Sequence, residues 1–209
     1  AVGDKAKAGG YKAAALGYDS AASGLSATAL GGESKAEALR SVAVGFRAHA
    51  KGTNDVAVGG AAAASGGQSV AVGLLSKASA LRAVAVGNGA QASNIDAVAI
   101  GRDSEADALS ATALGDRAKA RGTQSLALAS AAEAEGYQAV AVGTRAVSNA
   151  VNSVALGVES SATALNGLAV GTSSSVRKEG GTAVGGGASA LEEKSLALGF
   201  QAKGKAEKA

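Results

Sequence analysis

The sequence predicts an all-β fold, a parallel β-solenoid of 14-residue coils, and three observations predict it. A glycine closes a short Val/Leu-Ala-Val/Leu run every 14 residues, from Gly3 to Gly199, with no residue gained or lost between repeats. The residue two before that glycine is alanine in every repeat, and the residue one before is always Val, Leu or Ile. The chain contains no proline and only 2% aromatic residues, so it can fill a thin core but not a wide one. A register this strict over 209 residues requires each repeat to stack on the last at constant rise, which is the pattern of a solenoid.

Each coil resolves into two strands and two turns. The first strand ends at the glycine. Its alternation places the residues three before and one before (Val42 and Val44, Val56 and Val58) on one face and the alanine on the other. Read by hydrophobicity, the aliphatic face is the core of the coil. The alanine column (Ala43, Ala57, Ala71, Ala85, Ala99, Ala113, Ala141 and Ala155) then faces outward. A solvent-facing column would drift toward polar residues, so its constancy predicts close approach by another surface. On this reading Ala99→Glu splits an oligomer.

The first turn carries the grid glycine (Gly45, Gly59, Gly73, Gly87, Gly101, Gly157), where a positive φ or tight clearance is expected. Ala129 is the one departure. The second strand follows. Its third residue after the glycine is Ala or Ser, and its fifth is nearly always Ala, with Ser148, Val176 and Gly204 departing. The positions between are mostly polar, as in Arg47, His49 and Lys51. This strand is small inside and polar outside. The second turn falls about nine residues after the glycine, at Lys12, Arg40, Asn54, Gln68, Asp96, Gln124, Asn152 and Asn166, residues that tolerate turn geometry. Parallel pairing at about 4.8 Å per coil makes fifteen coils roughly 70 Å long.

A disordered chain is the first alternative for a composition rich in Ala, Gly and Ser, but Val and Leu on a fixed grid and the absence of proline favour a ladder. One coil buries too little to balance the entropy of ordering it. An apolar stripe along the whole solenoid is an interaction surface in its own right. Both points predict self-association about an axis, without choosing two copies or three.

Functional chemistry is sparse. Zero cysteines exclude disulfides and thiol chemistry, and one histidine with no cysteine excludes His/Cys metal clusters. No catalytic, cofactor-binding or metal-binding residues are assigned. His49 reads as a solvated surface residue. Asp103, Glu105 and Asp107 project from an exposed strand where nothing would raise an acid's pKa. Gly87-Asn88-Gly89 and Gly185-Gly186-Gly187 lack the strand–loop–helix setting of a phosphate loop. A net charge of +3 with so few aromatics argues against nucleic acid. No apolar run is long enough to span a membrane. Opposite charges on adjacent rungs, Glu37 with Lys51 and Arg121 with Asp107 and Glu135, are expected to support the register weakly. Arg102, Arg117, Lys119 and Arg121 form the most basic patch, and an acidic or sulfated polymer is its candidate ligand.

The repeat resembles the head repeat of trimeric autotransporter adhesins, the YadA-like family of Gram-negative bacteria. The family's Asn-Ser-Val-Ala-Ile/Leu/Val-Gly pattern appears at Asn152-Ser153-Val154-Ala155-Leu156-Gly157, and Arg40 to Gly45, Asn54 to Gly59 and Gln68 to Gly73 each differ from it by one residue. The resemblance covers the whole chain. It implies a left-handed parallel β-roll and a homotrimer with the alanine column at its axis. It implies a single head over residues 1–209, displayed on the bacterial surface beyond the outer membrane. It also implies adhesion to host extracellular matrix such as collagen, or to host cells, with Asn152, Ser153 and Val154 as further ligand candidates. No neck, stalk or membrane anchor is recognisable. The missing initiator Met and abrupt end suggest a piece of a longer protein, and Phe200 to Lys208 reads as one more half coil. Two other readings stand beside this one. One is a structural spacer with no ligand of its own. The other is an unrelated solenoid: an ice binder, against which the scattered threonines argue, or an acyltransferase helix, whose hexapeptide step does not divide 14.

Overall fold

A computed structural model describes residues 1–205; of the half coil expected over Phe200 to Lys208, the last three residues lie outside the described residues. The chain forms two compact units, residues 1–104 and 105–209. In each, three-residue strands alternate with two-residue strands along the chain, with no helix among the described residues. Within each unit the strands pair in parallel at a spacing of 14 residues, as in Val42↔Val56, Ala43↔Ala57 and Val44↔Val58. The short strands do the same, as in Lys35↔His49 and Ala36↔Ala50. Each unit is therefore two parallel sheets face to face, one of long strands and one of short.

The corners continue the ladder. Arg47 N donates to Gly32 O at 2.9 Å and Asn54 N to Leu39 O at 2.9 Å, each from one coil to the coil before. Within a corner, Ala48 N donates to Gly45 O and Asp55 N to Gly52 O, both at 3.2 Å. Backbone groups in the turns thus keep partners, which a solenoid without long loops requires.

This path demands left-handed backbone conformations. The second turn uses one residue per coil with positive φ, in most coils a non-glycine such as Asn54 (φ 58°) and Gln68 (φ 54°), where the sequence predicts turn-tolerant residues. The first turn uses another, at Glu33 (φ 55°) and Arg47 (φ 56°), a requirement the sequence pattern does not signal. The grid glycine sits elsewhere again, at φ 127° in Gly45, beyond the region open to other residues. A Cβ there would lie 2.6 Å from the carbonyl oxygen of Gly59 in the next coil. Gly45→Val therefore meets both strain and a clash, and should destabilise the chain by about 3 kcal/mol or more. An unchanged thermal midpoint would contradict that expectation.

Ala129 shows what a side chain at this position does. Its φ is 108°, against 139° at Gly115 and 135° at Gly143 in the coils on either side. The turn has rotated to carry a Cβ and remains in a conformation unfavourable for an L-residue. Ala129→Gly should relieve about 1–2 kcal/mol and raise the midpoint by a few degrees, as thermal melting would show.

The structure corrects the assignment of the two faces of the long strands. Ala43, Ala57, Ala71, Ala85, Ala99, Ala113, Ala141 and Ala155 are all 0% exposed within a single chain. They point into the gap between the sheets and cannot form an interface between copies. The flanking aliphatics point out, giving an outer–buried–outer pattern in strand after strand. The physical reason is the thinness of the coil. Two- and three-residue strands joined by tight turns leave room mostly for methyl and hydroxymethyl groups, the larger exceptions being Val176 and Asp55, whose carboxylate accepts from Gly52 N, Ser69 N and Ser69 Oγ. Ala22, Ala36, Ala50 and Ala64 of the short strands, with Ser20, Ser34 and Ser76, complete this interior. Most of the buried serines are satisfied locally, as where Ser34 Oγ donates to Gly31 O at 2.8 Å and Ser41 Oγ to Ala38 O at 2.7 Å; Ser125 Oγ is buried without a partner.

Two interior departures are compensated. Ser148 donates to Ser153 O at 2.8 Å. Val176 is buried because glycines occupy the facing positions: a Cβ on Gly167 or Gly181 would lie 2.9 Å from Val176 Cγ1. Gly167→Ala should cost about 1–3 kcal/mol by overpacking. Adding Val176→Ala should recover most of the loss in the same melting experiment.

Candidate ligand-binding surface

Three outward surfaces follow from the coil. The long strands present two aliphatic columns, one on each side of the buried alanines. Ile100, Leu128 and Leu16 are among the exposed large hydrophobics there. The second-turn corner adds Leu25, Leu39, Leu81, Ile95, Leu109 and Tyr137. The first-turn corner adds Tyr18, Phe46 and Leu74. Alternation correctly grouped the strand positions but assigned this apolar surface to the core. The signal that identifies it was available. Four inward columns of small residues must face each other across one gap, and two columns of branched aliphatics have no counterpart there.

The short strands and the turns present the polar surface, which is laced with ion pairs between neighbouring coils. Arg47 Nε is 2.7 Å from Glu33 Oε2, and Arg82 meets both oxygens of Asp96 at 2.6 and 2.7 Å. Hydrogen bonding to Arg82 holds the Asp96 carboxyl below the usual range. Arg145 pairs with Glu159. These pairs are solvent-exposed and contribute little individually.

The candidate basic patch is neutralised by carboxylates. Arg121 Nη2 lies 2.5 Å from Glu105 Oε2 and Nη1 3.4 Å from Glu135 Oε1. Lys119 Nζ lies 3.5 Å from Glu133, and Arg117 Nε 3.2 Å from Asp116. Arg102 belongs to the first unit and the other three to the second. The Arg121–Glu135 pair follows the expected column. Glu37 reaches His49 Nε2 at 2.9 Å rather than following its column to Lys51. Of the other ligand candidates, Ser153 is 0% exposed and cannot touch a ligand, Asn152 Nδ2 donates to Asn166 Oδ1 at 3.2 Å, and Val154 lies half-buried on the aliphatic surface. Glu105 is engaged with Arg121. Among the described residues no three His, Asp or Glu side chains are grouped to hold a metal ion.

One depression marks the polar surface of the first unit, lined by Asp19, Glu33, Lys35, Arg47 and His49. Its members occupy two columns of three successive coils, Asp19, Glu33 and Arg47 two residues after a grid glycine and Lys35 and His49 four after, and only their charges distinguish them from the same columns elsewhere.

Comparison with known families gives one match. The YadA head domain repeat, two copies long, matches residues 22–48, 50–76, 78–104, 106–128, 130–146, 134–160, 148–174 and 178–202. No curated protein matches the chain.

Proposed function

Because the chain belongs to the YadA head domain repeat family, we propose that it acts as the head of a trimeric surface adhesin, with its outward aliphatic columns turned toward two further copies of itself. The family is one of adhesins rather than enzymes. The observation that carries the trimeric reading is the outward aliphatic surface of the long strands, interrupted in one column by Ala14, Thr28, Thr112 and Thr182 and flanked by exposed leucines at one corner. Contiguous apolar surface on this scale marks an interface, and a closed ring of copies buries it equally in each. Both units belong to one such head, and the coil is left-handed as in the family. The polar short-strand surface then faces outward from the bacterial surface, beyond the outer membrane.

The ligand in this reading is a polymer of the host extracellular matrix, collagen-like in its repetition, or a host cell surface. A surface that repeats every 14 residues offers many weak, equivalent contacts to a repetitive ligand, and such contacts multiply. Binding of the full chain to immobilised fibrillar collagen and laminin tests this, with saturable binding expected. The paired charges of the outer surface favour one rival, a spacer without a ligand, and that rival predicts no binding to either.

A further inference from the structure

We propose that the depression flanked by Tyr18 and Phe46 on the short-strand surface of the first unit is a subsite for a neutral oligosaccharide. The inference deepens the adhesin-head reading and rests on it for the exposure of this surface.

Three observations carry it. The lining groups are Asp19, Glu33, Lys35, Arg47 and His49, drawn from three successive coils. They supply carboxylate acceptors beside guanidinium, ammonium and imidazole donors, the mixture that grips vicinal hydroxyls from both sides. Two carboxylates stand against one Lys and one Arg, and Arg47 is already held by Glu33 at 2.7 Å. The site therefore carries no excess charge to attract an ion, which favours hydroxyl recognition over binding of a sulfate or carboxylate. Lastly, the chain has five aromatic residues, three Tyr and two Phe, and two of them are chain neighbours of lining residues, Tyr18 of Asp19 and Phe46 of Arg47, whose guanidinium lies over the Phe46 ring.

The two rings are partly exposed, Tyr18 at 52% and Phe46 at 54%. They stand at the same corner two coils apart, roughly 10 Å by the strand spacing, a distance that a disaccharide bridges. Gly32 occupies the corner between them, and a Cβ there would lie 3.5 Å from Phe46 Cδ2, so the Phe46 ring rests over the glycine. The Arg47 guanidinium lies 4.8 Å from the Phe46 centroid, which fixes the ring against it. An apolar rim beside planar polar groups suits a pyranose, whose C–H face meets the rings while its hydroxyls meet the charged groups.

The test is saturation-transfer NMR on the full chain with cellotetraose, chitotetraose and maltotetraose as neutral probes and a heparin tetrasaccharide as the anionic one. At least one neutral probe is expected to bind. Tyr18→Ala with Phe46→Ala, and separately Asp19→Asn, should weaken it at least tenfold. Gly32 and Gly60 occupy the same corner position in neighbouring coils, so truncating the rings leaves the fold intact, and unchanged melting verifies this. Arg145→Ala, in the other unit, should leave binding unchanged. Silence from all neutral probes, binding by heparin alone, or indifference to the ring and Asp19 variants would each overturn the proposal. Collagen binding is measured on the same preparation. Loss of that binding with sugar binding intact would sink the matrix reading while supporting the subsite.

Discussion

Ala99→Glu is expected to unfold the coils around it rather than to separate folded copies. Ala99 is 0% exposed and pairs with Ala85 in the interior column of the long strands. The gap it faces is filled by alanine and serine side chains. A glutamate there must force the sheets apart, and its carboxylate finds no cation in the interior. An unpaired buried charge costs about 3–5 kcal/mol, before any overpacking is added. That is a large share of the 5–15 kcal/mol by which folded domains are typically stable. Because each coil supports its neighbours only through the ladder, the damage spreads to adjacent coils first. Circular dichroism should show lost β-structure at ambient temperature. A fully folded variant with reduced mass would restore the alanine column to the interface.

Val72→Glu is expected to do the converse. Val72 lies on the outward side of the strand Val70–Val72, next to the buried Ala71, and is only half-buried in one chain. Within a single chain the substitution costs only a strand-propensity difference of about 1 kcal/mol or less. In a ring of copies it places like charges from each chain into an apolar interface. At about 3–5 kcal/mol for each unpaired charge, association should weaken by at least roughly a hundredfold, at 1.4 kcal/mol per tenfold. The variant should therefore retain its strand content and lose its assembly. Unchanged assembly would place the aliphatic columns in solvent, and an unfolded variant would place Val72 in the core.

These two variants exchange the roles that the sequence alone suggests, and the reason is physical. The 14-residue grid, the parallel register, both turns and the small inward face of the short strands were legible, because constant spacing and period-two alternation fix them. Alternation states which residues share a face but not which face is inside. Hydrophobicity then favours Val and Leu over Ala, a rule derived from proteins with wide cores. Here the distance between sheets decides, and Val176 proves the point: one valine inside requires glycine at both 167 and 181.

The outer surface was less legible, because salt bridges join residues across coils in ways that column-by-column reading misses. Arg121 reaches Glu105 diagonally, and His49 takes Glu37. The depression bordered by Tyr18 and Phe46 likewise assembles from three coils and has no linear motif. Ala129 remained opaque for another reason. Its cost appears only in a backbone angle, and the sequence shows a substitution without the φ of 108° that accommodates it.

Sedimentation equilibrium of the unaltered chain tests most directly whether the outward aliphatic columns join copies. A mass of three chains is expected, held across a wide dilution range. A folded monomer would contradict it, leaving an apolar surface along the long strands with no partner to cover it.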